Sequence, residues 1–255
     1  MSQARGIGST LLKNTYEAGY QGVVDRLSGI APHISRYIEE FFGSVFSSPV
    51  LTSHQRELIT IAALTAMGDC PGQLRWHINF SLESGVPAEE IVEAITHCIP
   101  FSGFPRALNA LGVAKTVFAE RGIDIKLEDE LEHAGGAHER GIGKLEEIDG
   151  EHGVAVARSL GEIAPELANQ IIQLTFGEIY SRPILDAKHR QLVTLASLTA
   201  QGGCEPQLRV HIHAGLRAGL TNQEVIEALL QCYPYTGFPK VLNAVSVAKT
   251  IFAEH

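Results

Sequence analysis

A ten-residue polar segment occurs twice in this chain, at residues 68–77 and at residues 202–211. Both copies contain the order Cys-x-x-Gln-Leu-Arg-x-His, and the second lies 134 residues after the first (204 − 70 = 134). A second shared segment, Gly-Phe-Pro followed by a basic residue, comes after each copy at residues 103–106 and 237–240. Because the chain repeats a polar cluster together with its surroundings, we infer two similar units and a duplicated site.

The sequence around these segments predicts helices. Apolar side chains between residues 34 and 46 share one face at 3.6-residue spacing, and the run at residues 58–64 is apolar on most sides, as in a helix at the centre of a core. In the first half we expect helices over residues 9–27, 32–46, 54–67, 71–84, 87–100 and 105–120, with Ser53 as the N-cap of the third. No stretch alternates with a two-residue period long enough to predict a sheet. The expected fold is all-α, with two tandem helical repeats that pack about a pseudo-two-fold axis.

An acidic, glycine-containing segment at residues 121–139 separates the two repeats. Its composition is typical of a linker, with at most a helical turn at residues 127–133. The N-terminal region belongs to the repeat, because Arg-Gly-Ile-Gly occurs both at residue 5 and at residue 140. We predict a first repeat at residues 1–120, a linker at residues 121–139 and a second repeat at residues 140–255.

Charge and composition exclude several function classes. The net charge of −9 argues against broad electrostatic attraction to nucleic acid. No apolar run approaches the roughly 18 residues needed to cross a bilayer, and no apolar signal region follows the N-terminus, so we expect a cytoplasmic protein without a membrane partner. The four cysteines form two repeat-related pairs and no Cys-x-x-Cys occurs, which predicts reduced thiols.

The ordered set of segments resembles the carboxymuconolactone decarboxylase family. The resemblance rests on Arg-Glu-Leu-Ile-Thr-Ile-Ala at residues 56–62, Gln-Leu-Arg-Trp-His at residues 73–77, Gly-Val-Pro-Ala-Glu-Glu-Ile at residues 85–91, and Gly-Phe-Pro with Asn-Ala at residues 103–110. The second half has the same order, so the resemblance covers nearly the whole chain twice. It implies an all-α fold, no metal or organic cofactor, and a homo-oligomer; a doubled chain such as this one resembles the family's trimers. The family also contains alkylhydroperoxidase-like proteins.

The chain departs from both reaction patterns of that family at one position. The decarboxylase pattern has Glu-Leu-x-x-His, and here Gln73 and Gln207 replace the glutamate. The peroxidase pattern has Cys-x-x-Cys-x-x-x-His, in which Cys70 and Cys204 match the first cysteine and the same glutamines occupy the second position. Glu57 resembles the proton-relay glutamate of the peroxidases, although its spacing is one residue longer.

Each repeated histidine follows its glutamine by one helical turn, so Gln73 with His77, and Gln207 with His211, lie on one helix face. A neutral imidazole can move a proton, and a neutral amide can orient it or stabilise an oxyanion. The alternative is a structural histidine in a seam between packed helices.

Both Cys70 and Cys204 lie at the start of the same helix, where the helix dipole favours the reactive thiolate. They are candidate peroxidatic residues; the alternative is a small apolar side chain that fills a gap between helices. We expect Cys98 and Cys232, which lie mid-helix on an apolar face, to belong to the core.

Basic residues at the opening of another helix are candidates for substrate binding. Arg106 and Lys240 follow a proline there, and a cation beside free backbone N–H groups suits a carboxylate. The alternative is a solvated charge. Asn109 and Asn243 lie within one turn and are predicted to support such a site or to cap a neighbouring helix.

The two halves are similar but not equivalent. Glu57 and His97, the second of which matches a frequent histidine of the family and is a candidate for substrate binding, are replaced by Gln191 and Gln231 in the second half. We therefore predict that the first half carries the active site and that the second half contributes mainly to packing and assembly.

The leading hypothesis is a cofactor-independent lyase of the carboxymuconolactone decarboxylase type, acting on a small carboxylated lactone or a related acid. The first alternative is a thiol-dependent hydroperoxidase that uses Cys70 and Cys204. The second is a non-catalytic binding or assembly protein that keeps the helical scaffold.

Overall fold

The computed structural model describes residues 2–127, 131 and 136–254, and all regular elements in those residues are helical. In the first repeat these are α1 (Gln3–Leu27), α2 (His33–Phe41) continued by a π-helical segment (Phe42–Phe46), α3 (Ser53–Met67), α4 (Pro71–Glu83), α5 (Ala88–His97), α6 (Ile99–Ser102) and α7 (Phe104–Glu120). The second repeat has α8 (Ala137–Ile163), α9 (Pro165–Gln170) continued by a π-helical segment (Ile171–Ile179), α10 (Ala187–Gln201), α11 (Glu205–Arg217), α12 (Asn222–Gln231), α13 (Tyr233–Thr236) and α14 (Phe238–Phe252). The same order of elements in both halves confirms the predicted all-α tandem repeat.

The start of α3 differs by one residue from the prediction. Thr52, and not Ser53, is the N-cap, because its hydroxyl accepts from the backbone N–H of Gln55 while the Gln55 side chain accepts from the Thr52 N–H at 3.0 Å. This reciprocal capping box requires an acceptor three residues after the cap. Arg56 would occupy that position if Ser53 were the cap, and a guanidinium cannot accept.

Glycines allow the N-terminal helix of each repeat to approach its partner closely. A Cβ on Gly8 would lie 1.8 Å from the Glu39 carbonyl oxygen, and one on Gly141 would lie 2.1 Å from the Ile172 carbonyl oxygen. The equivalent residues are therefore Gly8 and Gly141. An alignment of the two Arg-Gly-Ile-Gly segments would instead pair Gly8 with Gly143. The structural equivalence differs from that alignment by two residues, because the close contact between helices sets which residues correspond. Helix α1 begins at Gln3, six residues before the predicted start.

The long apolar helices α3 and α10 pack against each other at the centre of the protein. Their fully buried side chains, including Leu58 and Leu192, belong to one hydrophobic core that draws on both repeats. The helix predicted over residues 54–67 is therefore confirmed at the core. Side chains of both repeats therefore form this central core.

Two reciprocal ion pairs cross between the repeats. Arg56 donates to Glu227 at 2.8 Å, and Arg190 donates to Glu93 at 2.7 Å. Each repeat thus supplies an arginine to a glutamate of the other, which is the arrangement that a pseudo-two-fold axis produces.

Between the repeats, α7 ends at Glu120 and α8 begins at Ala137, inside the segment predicted as a linker. Most of the helical turn expected at residues 127–133 lies outside the described residues. Among the helices that the structure does describe, none combines the length and the apolarity needed to cross a membrane.

Candidate active site

A cavity of about 960 Å³ lies beside the first repeated histidine, between α1, α2, α4 and the residues of α13 and α14. Most of its wall is apolar and aromatic, with rings from Tyr20, Phe41, Phe42, Trp76, Tyr233 and Phe238. The polar side chains Gln73, His77 and Tyr235 lie together in one part of this wall. This combination of a large apolar volume with a few convergent polar groups is typical of a small-molecule site.

The imidazole of His77 joins a buried carboxylate to a hydroxyl. Its Nδ1 lies 3.0 Å from Oε2 of Glu57 on α3, and both side chains are almost completely buried. Its Nε2 lies 3.1 Å from Oη of Tyr235 on α13. The three residues come from three helices and from both repeats, so this chain of contacts exists only in the folded protein.

The protonation pattern of this chain follows from its chemistry. A carboxylate can only accept, so Glu57 fixes the histidine tautomer with hydrogen on Nδ1. The unprotonated Nε2 then accepts from the Tyr235 hydroxyl. Burial, together with the negative charge of Glu57, raises the pKa of Tyr235 well above its usual value of 10.0, so the phenol remains a donor.

The equivalent place in the second repeat keeps the histidine and changes both partners. His211 Nδ1 lies 3.2 Å from Oε1 of Gln191, and the ring of Phe101 packs edge-on against the imidazole at 5.3 Å. A neutral amide and a phenyl ring thus replace the carboxylate and the phenol. Burial, and then the charge of Arg217, lowers the pKa of His211 to about 4, so this imidazole is neutral at physiological pH.

Side chains fill the space beside His211. Phe101 packs against a buried apolar cluster of the second repeat that includes Leu145, Phe176 and Tyr180. The different roles of the two halves stay a prediction.

The two glutamines of the repeated segment lie in different environments. Gln73 is solvent-exposed and lines the cavity on the same wall as His77. Gln207 is also exposed, one turn before the buried His211. The structure therefore brings the amide and the imidazole together at a cavity in the first repeat.

The predicted carboxylate-binding residues lie at helix ends away from the lining of this cavity. Lys240 donates to the Ala200 carbonyl oxygen at 2.5 Å, near the end of α10, and its stem packs over Gly202. The stem of Arg106 packs over Gly68 in the same way. Both cations thus complement the negative end of a helix dipole.

The two asparagines also lie on the surface. Asn109 is exposed, and the side-chain amide of Asn243 donates to the Glu205 carboxylate at 3.4 Å. The structure does not bring either residue into the wall around His77.

Cys70 does not have the thiolate environment predicted from its helix position. Burial, and then the nearby charge of Asp69, raises the pKa of its thiol, which opposes the effect expected from the helix dipole. The thiol instead donates to the Leu64 carbonyl oxygen at 3.7 Å. Cys204 is partly buried and contacts the Gln201 amide nitrogen at 3.4 Å.

The other two cysteines, Cys98 and Cys232, are fully buried, as predicted for core residues. Burial raises the pKa of each thiol to about 12.

His97 forms a buried bridge between the repeats. Its Nδ1 lies 3.1 Å from Nη1 of Arg190, and its Nε2 lies 2.9 Å from Oγ1 of Thr194. Burial, and then the charge of Arg190, lowers its pKa well below 6.5. Gln231 makes the same two contacts in the other direction, at 3.0 Å to Arg56 and 3.1 Å to Thr60.

His97 and Gln231 therefore have the same structural role, which is to join an arginine and a threonine of the other repeat. Neutral His97 accepts from an arginine and donates to a threonine, and the amide of Gln231 can do the same.

The sequence analysis did not identify Tyr235. The available signal was the tyrosine in place of Phe101, 134 residues earlier, in the short helix before each Gly-Phe-Pro segment. The difference indicates a functional role only once the fold is known, because the fold places Tyr235 of α13 beside His77 of α4 in the other repeat. Within the described residues, no group of three or more His, Cys, Asp or Glu side chains is arranged to bind a metal ion.

Comparisons with known proteins agree with this architecture. The chain is 35% identical over 101 residues to 4-carboxymuconolactone decarboxylase of Acinetobacter baylyi, which covers 39% of this chain and 75% of that protein. It is 34% identical over 82 residues to nitrosuccinic acid decarboxylase npaB of Metarhizium robertsii, which covers 32% of this chain and 57% of that protein.

A crystal structure from Burkholderia xenovorans, provisionally named a gamma-carboxymuconolactone decarboxylase subunit, superposes with a TM-score of 0.60. At 19% identity over 100% of this chain and 99% of that one, it supports the fold. The model of the family described as "Carboxymuconolactone decarboxylase family" matches residues 32–116 and 165–250, one match in each repeat. The chain therefore belongs to the carboxymuconolactone decarboxylase family.

Proposed function

We propose that the first-repeat site is the active centre of a lyase that decarboxylates a carboxylated lactone or a related acid without a cofactor. The observation that supports it most is the Glu57–His77–Tyr235 chain in the wall of the cavity. Two relatives named as decarboxylases support the reaction class.

The proposed reaction uses His77 as a proton donor. The bond between the substrate carbon and its carboxylate breaks, CO₂ leaves, and the electron pair stays on the carbon, delocalised onto an adjacent carbonyl oxygen. The free Nε2 of His77 first takes up a proton from solvent, and the resulting imidazolium, balanced by the Glu57 carboxylate, gives that proton to the carbon. One proton is thus consumed for each CO₂ released.

The neighbouring donors stabilise the charge that develops. Tyr235 remains protonated and turns its hydroxyl from His77 to the enolate oxygen. Gln73 hydrogen-bonds the substrate from the same wall. In this proposal the other candidate binding residues do not contact the substrate. Arg106 and Lys240 lie at helix ends, Asn109 and Asn243 lie on the surface, and His97 lies at the interface between the repeats.

The decisive experiment replaces the two histidines separately. With 4-carboxymuconolactone and a set of β-keto acids as substrates, His77→Gln should lower kcat at least 100-fold, because general acid catalysis contributes about 10² to 10⁴. The matched variant His211→Gln should stay within about twofold of the unmodified protein. Equal losses in the two variants would reject the assignment to the first repeat.

Cysteine variants separate this proposal from a thiol peroxidase. Decarboxylation should survive Cys70→Ser and Cys204→Ser, because neither thiol lies in the lining of the cavity. Hydroperoxide reduction that disappears in these variants, without any decarboxylation in the unmodified protein, would support the peroxidase instead. The proposal includes a cytoplasmic location, since all four cysteines are free thiols, the form that a reducing compartment maintains.

We also infer a homo-oligomer, a trimer of doubled chains. Repeat-related apolar side chains are largely exposed on α7 and α14: Phe104 by 53%, Leu108 by 60%, Phe238 by 67% and Leu242 by 65%. Exposed apolar faces of this kind are typical of association surfaces. If the α7 face of one copy meets the α14 face of the next, a three-fold rotation between copies would close the contact into the ring that we propose.

A further inference from the structure

The cavity beside His77 is large for the small lactone acids expected from the sequence. Its volume of about 960 Å³ is near the upper end of the roughly 300 to 1,000 Å³ of pockets that bury drug-sized ligands. A small acid would leave most of this volume to water. Water is poorly held against an apolar wall that offers few hydrogen-bond partners.

The cavity wall is also preassembled from aromatic rings. Phe41 packs edge-on against Tyr233 with ring centroids 4.7 Å apart, and Tyr233 stacks on Phe238 at 5.2 Å. Rings fixed in this way present both faces and edges to a ligand, and each contact with another ring system adds to the burial of apolar area.

The length of the cavity follows helix α1. Its lining extends from Leu12 to Arg26 on this helix, roughly 21 Å along the axis at 1.5 Å per residue. His77, Tyr235 and Gln73 supply polar groups in one part of the wall. Arg26 and Glu40 also line the cavity, but most of the remaining wall is apolar, so a ligand that reacts at His77 extends an apolar body along it.

Two glycines of α1 shape this volume. A Cβ on Gly19 would lie 1.6 Å from Nε1 of Trp76, so glycine keeps α1 close to that indole. The ideal Cβ of Gly22 meets no atom within 4 Å, although Gly22 lines the cavity. Glycine at residue 22 therefore leaves open a space that a larger side chain could occupy without a backbone clash.

We propose that the Glu57–His77–Tyr235 site takes an acid with a bulky apolar body of fused-ring size, with its carboxylated carbon at His77 and its rings against the aromatic wall. This inference rests on the proposed function for the position of the reacting carbon. The selection for a large apolar body rests on the cavity alone.

Trp76 is the single tryptophan of the chain and lines the cavity, so its fluorescence reports binding without turnover. The probes are adamantane-1-carboxylate and the small lactone acid 5-oxotetrahydrofuran-2-carboxylate, neither of which absorbs near tryptophan excitation. Adamantane-1-carboxylate should bind at least tenfold more tightly. Equal affinity, or tighter binding of the lactone acid, would overturn the proposal.

A cavity-filling variant tests the place of binding. Gly22→Phe should weaken adamantane-1-carboxylate binding at least tenfold, while circular dichroism shows an intact helical fold. Gly143→Phe, the same exchange at an exposed helical glycine of α8 with open space around it, is the matched control and should change nothing. Unchanged binding in Gly22→Phe would place the ligand elsewhere and reject the inference.

The two proposals fail in different ways. If no acid is decarboxylated but adamantane-1-carboxylate binds and Gly22→Phe removes the binding, the proposed reaction is wrong and the ligand class stands. If 4-carboxymuconolactone is decarboxylated through His77 and both probes bind equally, the reaction stands and the inference about size is wrong.

Discussion

Glu57 and Gln191 occupy equivalent positions and contact equivalent histidines, but the two side chains have different consequences for those imidazoles. The carboxylate of Glu57 can balance a positive imidazolium, whereas the neutral amide of Gln191 cannot. The replacement of Tyr235 by Phe101 then removes the donor on the other side of the ring. Two residue exchanges thus distinguish the proposed proton-transfer site from a buried neutral histidine.

Tyr235→Phe places a phenyl ring beside His77, as Phe101 already does beside His211 in the second repeat. We expect kcat to fall about 100- to 1,000-fold with little change in ligand affinity, because the hydroxyl acts on developing charge and the ring supplies the packing. Steady-state kinetics with Trp76 fluorescence titration checks both parts. Phe101→Tyr is the matched control and should leave kcat unchanged; a parallel loss there would contradict this assignment.

Buried neutral histidines make stability depend on pH. The pKa of His211 falls to about 4 in the folded protein, below its usual 6.5, so between these values the unfolded chain binds a proton that the folded chain does not. The part of the free energy of unfolding that depends on neutral His211 is therefore fully present above pH 6.5 and is lost as the pH falls towards 4. His97, whose pKa is also lowered, acts in the same direction.

Urea denaturation at pH 7.0 and pH 4.5 measures this loss. His211→Gln should reduce the difference in unfolding free energy between the two pH values by about 2 kcal/mol, since one pKa unit corresponds to about 1.4 kcal/mol. His33→Gln, at an exposed position of α2, should retain the full difference. The same pH dependence in all three proteins would contradict the assignment to His211.

At the scale of elements, the contact between α10 and α5 of the first repeat is held by polar groups as well as by the core. Arg190 has a side chain 3% exposed and donates to Glu93, which is 1% exposed, and to the Arg182 carbonyl oxygen at 2.6 Å. Removing one partner of a buried pair leaves an uncompensated charge, which costs more than the pair itself contributes.

Arg190→Ala should therefore lower the free energy of unfolding by about 3 to 5 kcal/mol, measured by chemical denaturation. The comparison is Arg75→Ala, whose ion pair with Glu120 is about half exposed on both sides. Exposed pairs contribute about 0 to 1 kcal/mol, so this variant should be nearly neutral. Similar effects of the two substitutions would show that the buried network is not needed for the repeat contact.

The elements around the cavity also include a feature that periodicity does not reveal. The helix predicted over residues 32–46 changes to π-helical geometry at Phe42–Phe46, and Phe42 lines the cavity. Such segments are rare and are frequent at functional sites. A regular 3.6-residue pattern predicts the apolar face but not this local change in winding.

At the scale of the whole molecule, the pseudo-two-fold axis leaves two equivalent apolar faces exposed, one on α7 and one on α14. Phe238 belongs to the second face and also lines the cavity, so assembly at that face would narrow the cavity mouth. Oligomerisation and ligand access are therefore coupled in the proposed trimer.

The double variant Leu108→Glu with Leu242→Glu should convert the proposed trimer to monomers, because buried carboxylates would face an apolar partner surface. Light scattering after size-exclusion chromatography measures the mass. Val156→Glu, at another exposed apolar residue on α8, is the control and should remain trimeric. A monomeric unmodified protein would reject the trimer.

Much of the fold and part of the candidate site could be predicted from the sequence. The helices, the two repeats and the joint position of Gln73 and His77 depend on local spacing, and the i, i+4 relation places the last two on one face in any α-helix. The sequence also shows that Glu57 in the first half corresponds to Gln191 in the second, because this part of the repeat aligns without gaps.

Tertiary structure alone decided what crosses between the repeats. Tyr235 reaches His77 because α13 of one repeat packs against the other, while His97, Arg106 and Lys240 face the repeat interface or helix ends. Burial and the neighbouring charge of Asp69 raise the pKa of the Cys70 thiol, and neither could be read from its place on a helix. Sequence determines which side chains share a helix face; only packing determines which distant side chains meet and how much water remains around them.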